Sequence, residues 1–499
     1  MDQIASLMGG FATAFTPYYL LMCLGGVLMG QIIGALPGIG PSAAIALLLP
    51  LTIGADPTGT LIMFSGLYAG SQYGGTLTAV LLNVPGEASS VMTAIDGHKL
   101  AQQGRAGSAL GIAAIGSFIA GTIGTVGLMY LAPALANMAL AFGPPEYFGL
   151  VLVGLISLAA VGGSVAKGLA AGMLGLVLGT IGIDEQSGVT RFTFGQLWLI
   201  DGIDFVIIAV AVFGVGEVLA TCYQTEAGSV IKIKSAYPTR EDLRRSGMPI
   251  VRGTVIGFIV GVLPAAGATI ASFMAYMVEK KVSKTPERFG HGAIEGVAGP
   301  EAANNAAVSG NMVPMFALGI PGSGTTALML GALIMFGMRP GPDMFKTNGD
   351  LIWGVIASLY IANALLLLLN LPLASLFARL LSISYSWLYA PILAICLLGA
   401  FANTNSLQDC WLLIGFGILG WLMKLYSWPA APLVLGLVLG PLFETSMRQS
   451  LSMSRGDMTI FLTRPVSLTL LVVALLTIAY PLVVAIRNMA RRRVSGAAA

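Results

Sequence analysis

The 499-residue chain is 56% hydrophobic and only 9% charged, with a mean hydropathy of +0.86 and a formal net charge of +3. Soluble domains carry about a quarter of their residues as charges, so a water-soluble globule is excluded and an all-α polytopic membrane protein is expected. Apolar blocks from Tyr18 to Val484 accommodate roughly 10 to 14 spans at about 20 residues each, some of them broken or re-entrant half-helices.

Met1 to Phe15 has an acid at Asp2, no basic n-region and a short, interrupted apolar run, so it is expected to stay in the chain rather than act as a signal peptide. Tyr18 to Leu36 reads as the first span. It runs into residues 34–51, GALPGIGPSAAIALLLPL, where Pro37, Gly38, Gly40 and Pro41 break the helix. Broken backbone persists at membrane depth only where protein or a water-filled cavity satisfies it. Leu61 to Val84 is apolar yet holds Ser65, Ser71, Gln72, Thr76, Thr78 and Asn83. These either pack helices closely or line a polar cavity. A second break at residues 82–90, LNVPGEASS, precedes the hydrophilic turn DGHKLAQQGR, and Ser108 to Leu131 forms the next span.

Both breaks recur. Residues 261–270, GVLPAAGATI, echo the first break in the register Gly34/Gly261, Leu36/Leu263, Pro37/Pro264 and Gly40/Gly267. Residues 318–326, LGIPGSGTT, echo the second at Pro85/Pro321 and Gly86/Gly322. The expected organisation is a first transmembrane repeat over 1–225, a basic cytoplasmic linker over 226–252, a second repeat over 253–407, and C-terminal helices with a basic tail over 408–499. The linker holds Lys232, Lys234, Arg240, Arg244, Arg245 and Arg252, and basic connections lie preferentially in the cytoplasm. Arg487, Arg491, Arg492 and Arg493 place the C-terminus there too. Between its two breaks the first repeat has no Lys or Arg, whereas the second has Lys280, Lys281, Lys284 and Arg288; after its second break the first has Lys99 and Arg105. This asymmetry points to inverted topology, the arrangement of secondary transporters, although Arg339 and Lys346 run against it.

Each break starts a new helix, whose free N–H groups and partial positive charge favour anions, carboxylates included. The candidate substrate-binding residues are therefore those of the breaks. The first pair supplies Pro37, Gly38, Gly40 and Ser42, and Pro264, Gly267 and Thr269. The second supplies Asn83, Pro85, Gly86, Ser89 and Ser90, and Pro321, Gly322, Ser323 and Thr325. The plainer reading is that Pro-Gly sites only kink helices; four paired instances favour a site. Candidates for a coupling ion, sodium or a proton, are Glu87, Asp96, Glu295, Glu301, Asn304 and Asn305. Intramembrane acids are costly and functional by default, but at an interface the same acids would be solvated or act as caps. Four scattered cysteines and the histidines His98 and His291 in charged turns make no metal site or disulfide framework. No G-x-S-x-G, H-E-x-x-H or G-x-x-x-x-G-K pattern is present, so neither a familiar hydrolase nor ATP-driven transport is indicated. A membrane scaffold without flux and an intramembrane enzyme are the alternatives.

The stretches GALPGIGPSAAIALLLPLT, YAGSQYGGTLTAVLLNVPGEASSVMTAIDGHKLAQQGRAGSAL, GHGAIEGVAGPEAANNAA and LGIPGSGTTALMLGALIMFGMRPGP resemble the large membrane subunit of the tripartite tricarboxylate transporters, the TctA family. The similarity runs from about Gly25 to Phe345. The resemblance implies a bacterial inner-membrane symporter for organic carboxylates, working with a small four-helix TctB-like membrane subunit and a periplasmic TctC-like binding protein. It implies no cofactor besides the coupling ion and no nucleic-acid partner. In the family pattern the echo usually reads PGAG, whereas this chain has Pro264-Ala265-Ala266-Gly267, which removes one glycine from the break.

Overall fold

The computed structural model describes residues 3–36, 40–161, 164–184, 187–222, 237–264, 267–380, 386–404 and 406–479. Pro37, Gly38, Ala265, Lys232, Lys234 and the arginine tail lie outside the described residues.

The helices of the first part are α1 (Gln3–Ala14), α2 (Pro17–Gly34), α3 (Pro41–Leu48), α4 (Pro57–Leu82), α5 (Val91–Gln102), α6 (Ala106–Ala139), α7 (Pro144–Val161), α8 (Val165–Leu178), α9 (Phe205–Ala209) and α10 (Gly216–Thr221). There follow α11 (Arg240–Val262), α12 (Gly267–Val282), α13 (Glu295–Leu318), α14 (Gly324–Met335), α15 (Met344–Thr347), α16 (Gly349–Leu380), α17 (Ser386–Thr404), α18 (Leu407–Leu425), α19 (Ala431–Met453), α20 (Ile460–Thr463) and α21 (Pro465–Ala479). Among the described residues the strands are β1 (Gly182–Ile183) and β2 (Thr190–Arg191), an antiparallel pair. Helices α2, α6 and residues Gly349–Pro372 of α16 are long and apolar enough to cross a membrane by length and composition, and shorter apolar helices accompany them. The chain is an all-α polytopic membrane protein.

Two compact units are distinguished, Met1–Leu140 with Val206–Leu422, and Ala141–Phe205 with Met423–Ala499. Within the first unit, α4 and α13 are core helices, buried on nearly every side, which is why neither shows an amphipathic stripe. Helix α4 starts where Asp56 accepts a hydrogen bond from the Gly59 N–H at 2.7 Å, with Pro57 in the first turn. It stops at Asn83, whose left-handed φ of 58° ends the hydrogen-bond ladder. Helix α13 stops at Gly319, φ 70°, whose N–H and that of Ile320 cap the Met315 and Pro314 carbonyls. Helices α9 and α10 are joined by a π-helical turn, Val210–Val215, and Gly216 lies against the backbone of Gly420 on α18.

A close-packed frame occurs twice in this unit. On α2, a Cβ added to Gly26, Gly30 or Gly34 would collide with the carbonyls of Met63, Leu67 and Ser71 on α4. On α11, Gly253, Gly257 and Gly261 stand in the same relation to Gly299, Ala303 and Ala307 on α13. Gly74 faces the Gln31 carbonyl, and its counterpart Gly310 faces that of Phe258. Without a hydrophobic drive between helices in lipid, such backbone contact is how they associate.

The second unit packs α7, α8, α19 and α21. Gly175 of α8 lies against the Leu433 carbonyl, Gly436 of α19 against that of Gly172, and Phe148 stacks between Phe461 and Phe443 at 4.6 and 4.9 Å. Six of its charged side chains pair with one another: Arg191 and Arg448 both bind Glu444, at 2.7 and 2.6 Å, Arg448 also binds Asp184 at 2.8 Å, and Arg464 binds Glu146 at 3.0 Å.

Two segments differ from expectation. Helix α11 begins at Arg240, inside the stretch read as linker, because Thr239 and Asp242 form a reciprocal cap. The hydrophilic turn after the second break is the body of α5, with Asp96 fully buried and the His98 ring nitrogen Nδ1 3.0 Å from the Val80 carbonyl.

Candidate functional site

The second breaks are re-entrant. Past Asn83 the chain folds back, so that Gly86 lies under the Gly34 carbonyl and Glu87 and Ser90 lie beside Gly75 of α4. A side chain at Gly75 would displace Glu87; the approach requires the glycine. The Ser89 hydroxyl then donates to Gln72 Oε1 at 2.7 Å, and that of Ser90 to the Glu87 carbonyl at 2.7 Å. The other break repeats the fold, with Gly322 packed against Asn311 of α13. Ser323 caps α14 reciprocally with Thr326.

The half-helices meet crosswise. Helix α3, from the first break, packs against α14, from the last, and the Ser42 and Thr325 hydroxyls are 3.0 Å apart. Helix α12 packs against the short turn Ala88–Ser90 and α5. Tyr68 of α4 reaches the start of α14. Its hydroxyl accepts from Asn311 Nδ2 at 2.7 Å and is 3.3 Å from Ser323 Oγ.

Several buried polar atoms here have no hydrogen-bond partner among the described residues: Gln72 Nε2, Asn311 Oδ1, Glu301 Oε2, Asn304 Nδ2, Glu87 Oε2 and Ser65 Oγ, with Ser272 Oγ on α12. Burying a polar group unpaired is expensive. A set of such atoms around broken helices is a surface prepared for a polar guest or for water. Not every hydroxyl of α4 belongs to it. Ser71, Thr76 and Thr78 donate to carbonyls of their own helix, of Tyr68, Gln72 and Gly75, and serve packing.

The structure places the remaining sequence candidates as follows. Gly40 precedes α3 and Gly267 is the first residue of α12, but with φ −78° and +63° respectively, so the echo is not conformationally faithful there. Thr269 is exposed, and Ser272, on the buried face of the same helix, takes the inward position. Asn83 is an exposed cap; Pro85, Pro264 and Pro321 shape the turns. Asp96 is fully engaged: its Oδ1 accepts from the Gly290, Gly292 and Ala293 N–H groups at 2.8 to 2.9 Å, and its Oδ2 from the Tyr276 hydroxyl at 2.9 Å. It ties α5 to the segment preceding α13. Glu295 pairs with Arg288 at 3.1 Å. Glu301, Asn304 and Asn305 are buried together within α13. Among the described residues no group of three or more His, Cys, Asp or Glu side chains could hold a metal ion.

Sequence reasoning missed Tyr68, Asn311, Ser272 and the buried Gln31–Asn370 pair, bonded at 2.5 Å. A polar side chain inside an apolar run was the available signal for each.

Comparison with known proteins agrees with this architecture. The profile described as "Tripartite tricarboxylate transporter TctA family" matches residues 20–435. An Agrobacterium vitis protein, described as an uncharacterized 52.8 kDa protein in the TAR-I ttuC' 3' region, is 48% identical over 492 residues, 98% of each chain. A second from that organism, in the TAR-II ttuC' 3' region, is 45% identical over 232 residues, 46% of this chain and 96% of that protein. No solved structure matches the chain.

Proposed function

The chain belongs to the tripartite tricarboxylate transporter TctA family, and from that premise we propose that it imports organic carboxylates across the bacterial inner membrane by cation symport. In this reading a periplasmic binding protein delivers the acid and a small four-helix subunit completes the membrane part. The carrying observation is the crosswise meeting of half-helix ends at Ser42 and Thr325, 3.0 Å apart, beside the Tyr68, Asn311 and Ser323 cluster. Hydroxyls, amides and helix N-termini hold a carboxylate through dipoles. A site of that kind binds without a permanent salt bridge, which permits release.

Opposite insertion of the two repeats is part of this reading, and the charged ends support it. Gln103 Nε2 donates to the His291 carbonyl at 2.9 Å and Arg105 pairs with Asp242, so the end of α5, the start of α11 and the connection before α13 share one side. These are non-equivalent places in the two repeats, which supports opposite insertion, with this basic side and the C-terminus in the cytoplasm. Alternating access would then come from moving the break-bearing elements against a scaffold.

The deciding measurement is uptake by proteoliposomes holding this chain with its two partner proteins. The probes are radiolabelled di- and tricarboxylates, with imposed sodium or pH gradients. Gradient-driven accumulation is expected. Partner binding without flux would make the chain a scaffold, and chemical conversion of the acid would make it an enzyme.

A further inference from the structure

Among the carboxylates of the first unit, Glu301 has a distinct setting. It lies within α13, is 0% exposed, and forms no ion pair with Lys, Arg or His among the described residues. Its Oε1 accepts the Thr93 hydroxyl of α5 at 2.5 Å, while Oε2 is buried with no hydrogen-bond partner. The neighbouring amide of Asn305 points donors, not lone pairs, at the surrounding oxygens. Its Nδ2 lies 2.7 Å from Ser117 Oγ on α6, 2.7 Å from Asn304 Oδ1 and 3.1 Å from the Glu301 backbone carbonyl. Ser117 Oγ, Asn304 Oδ1 and the Glu301 carbonyl thus each already accept a hydrogen bond from this amide. The Thr76 hydroxyl and the Asn304 amide, whose Nδ2 is itself unpartnered, also lie against this carboxyl, and a proton on Oε2 would satisfy it among these uncharged neighbours.

The ionisable groups on the surrounding elements have their own partners. On α4 the Tyr73 hydroxyl, which faces Glu301, donates to the Leu110 carbonyl at 3.1 Å. On α5 Asp96 is enclosed by backbone amides and Tyr276, and His98 is bound to the Val80 carbonyl. On α12 Glu279 is held in a bidentate pair by Arg252 of α11, both contacts at 2.7 Å. At the start of α13 Glu295 faces Arg288 and Arg245. Helix α6 carries no acid or base between Ala106 and Ala139, nor does α14, and Lys346 on α15 is exposed. Glu87 and Glu295 each carry an unpartnered oxygen as well, but Glu87 is only partly buried and Glu295 is ion-paired with Arg288 through its other oxygen.

Resting on the symport reading above, we infer that Glu301 is the group on which the coupling proton rides. Its Oε2 takes a proton from water on the periplasmic side, becoming a neutral carboxylic acid, and gives it to water on the cytoplasmic side as the carboxylate re-forms. The place equivalent to Glu301 in the first repeat is Ser65 of α4, buried with an unpartnered Oγ. The first repeat therefore has no acid at the equivalent position, and one proton per cycle is expected through Glu301.

Two measurements test this. In lipid vesicles of the full chain, a pH-jump infrared difference spectrum should show a carboxylic-acid C=O band that is lost in Glu301→Gln, shifted in Thr93→Val and in Glu301→Asp, and retained in Glu87→Gln. A wild-type spectrum without the band, or a band unchanged in Glu301→Gln, overturns the inference whatever the chain transports. In the proteoliposomes described above, a pH gradient should drive wild-type accumulation. Glu301→Gln should lower the ratio of pH-driven accumulation to acid exchange at least tenfold, with partial rescue by Glu301→Asp. Accumulation driven by sodium alone, or an unchanged ratio, also overturns it. Failure of the wild type to move any probe acid, with the infrared band present, would refute the transport reading and leave the protonation site standing.

Discussion

Helices α2 to α5 and their counterparts α11 to α14 share a backbone and differ in chemistry. In both, glycines one turn apart on the leading helix press on carbonyls of the core helix. In both, the core helix ends in a left-handed residue, Asn83 or Gly319, and a glycine of the break, Gly86 or Gly322, folds back onto it. The polar side chains are not copied. Where α13 carries Glu301, Asn304 and Asn311, α4 carries Ser65, Tyr68 and Gly75, and Gln72 of α4 faces the register of Val308. The difference separates two constraints. Close backbone approach admits only the smallest residues and so must be kept in both halves, whereas the polar side chains between those backbones are free to differ, an acid and amides on α13 against a serine and a phenol on α4.

The strongest way to break the comparison is to fill the frame. Gly30→Val and Gly257→Val each drive a side chain into a backbone carbonyl, and overpacking of this kind should cost about 3 kcal/mol, the upper end of its usual range. Both variants are expected to yield no monodisperse protein in detergent; tolerance of one alone would show that the halves are not equivalent frames. Next is the bond between the halves. Asp96→Asn weakens the acceptor for three backbone amides and should lower stability by about 2 to 3 kcal/mol, read as a fall in melting temperature.

The chemistry is tested by matched pairs. Ser65→Ala should change pH-driven accumulation less than about twofold, against the tenfold or greater loss in Glu301→Gln, a gap of about 1 kcal/mol or more. Ser42→Ala and Thr325→Ala should each raise the transport KM several-fold, about 1 kcal/mol per lost hydrogen bond. The double variant should be no worse than either single one if the two hydroxyls act as a pair. Thr269→Ala, on the exposed face of α12, should leave KM unmoved.

The smallest effect lies outside the membrane, at the start of α11. Burial would raise the Asp242 pKa, but hydrogen bonds from Thr239 and the charge of Arg105 outweigh it and hold the carboxyl below the usual range. Its stabilisation is therefore present above the ordinary aspartate pKa of about 3.9 and fades as pH falls through the lowered value. The melting-temperature advantage of wild type over Asp242→Asn should be constant near neutrality and shrink below about pH 4. The first repeat has no such ionic cap on α2, which begins at Thr16 without a side-chain hydrogen bond.

Much of the frame was legible in the chain itself. Pro-Gly breaks in apolar runs mark their own positions because few other residues tolerate them, and their pairing exposed the duplication. The first two rungs of the glycine ladder, Gly26 and Gly30, were not singled out, since glycine is frequent in membrane helices and its meaning depends on the carbonyl opposite. Asp96 read as part of a polar turn because its neighbours His98 and Lys99 are polar; its burial comes from Gly290, Gly292 and Ala293, far away in sequence. Tyr68 and Asn311 escaped for the same reason, as neither has a local partner. Non-local pairing is what the pattern of one helix cannot display.

The pairing of Ser42 with Thr325, separated by 283 positions, and of Thr93 with Glu301, separated by 208, also governs how the protein is made. Helices α2 to α6 leave the ribosome long before the segments that complete them. During that interval Gln31, Tyr68 and Thr93 wait in or near the bilayer without their final partners, Asn370, Asn311 and Glu301. Long-range contacts of this kind form late and leave incomplete intermediates exposed. The first half synthesised alone is therefore expected to be degraded by quality-control proteases, and the two halves become one molecule only once α16 has followed the last re-entrant turn into place.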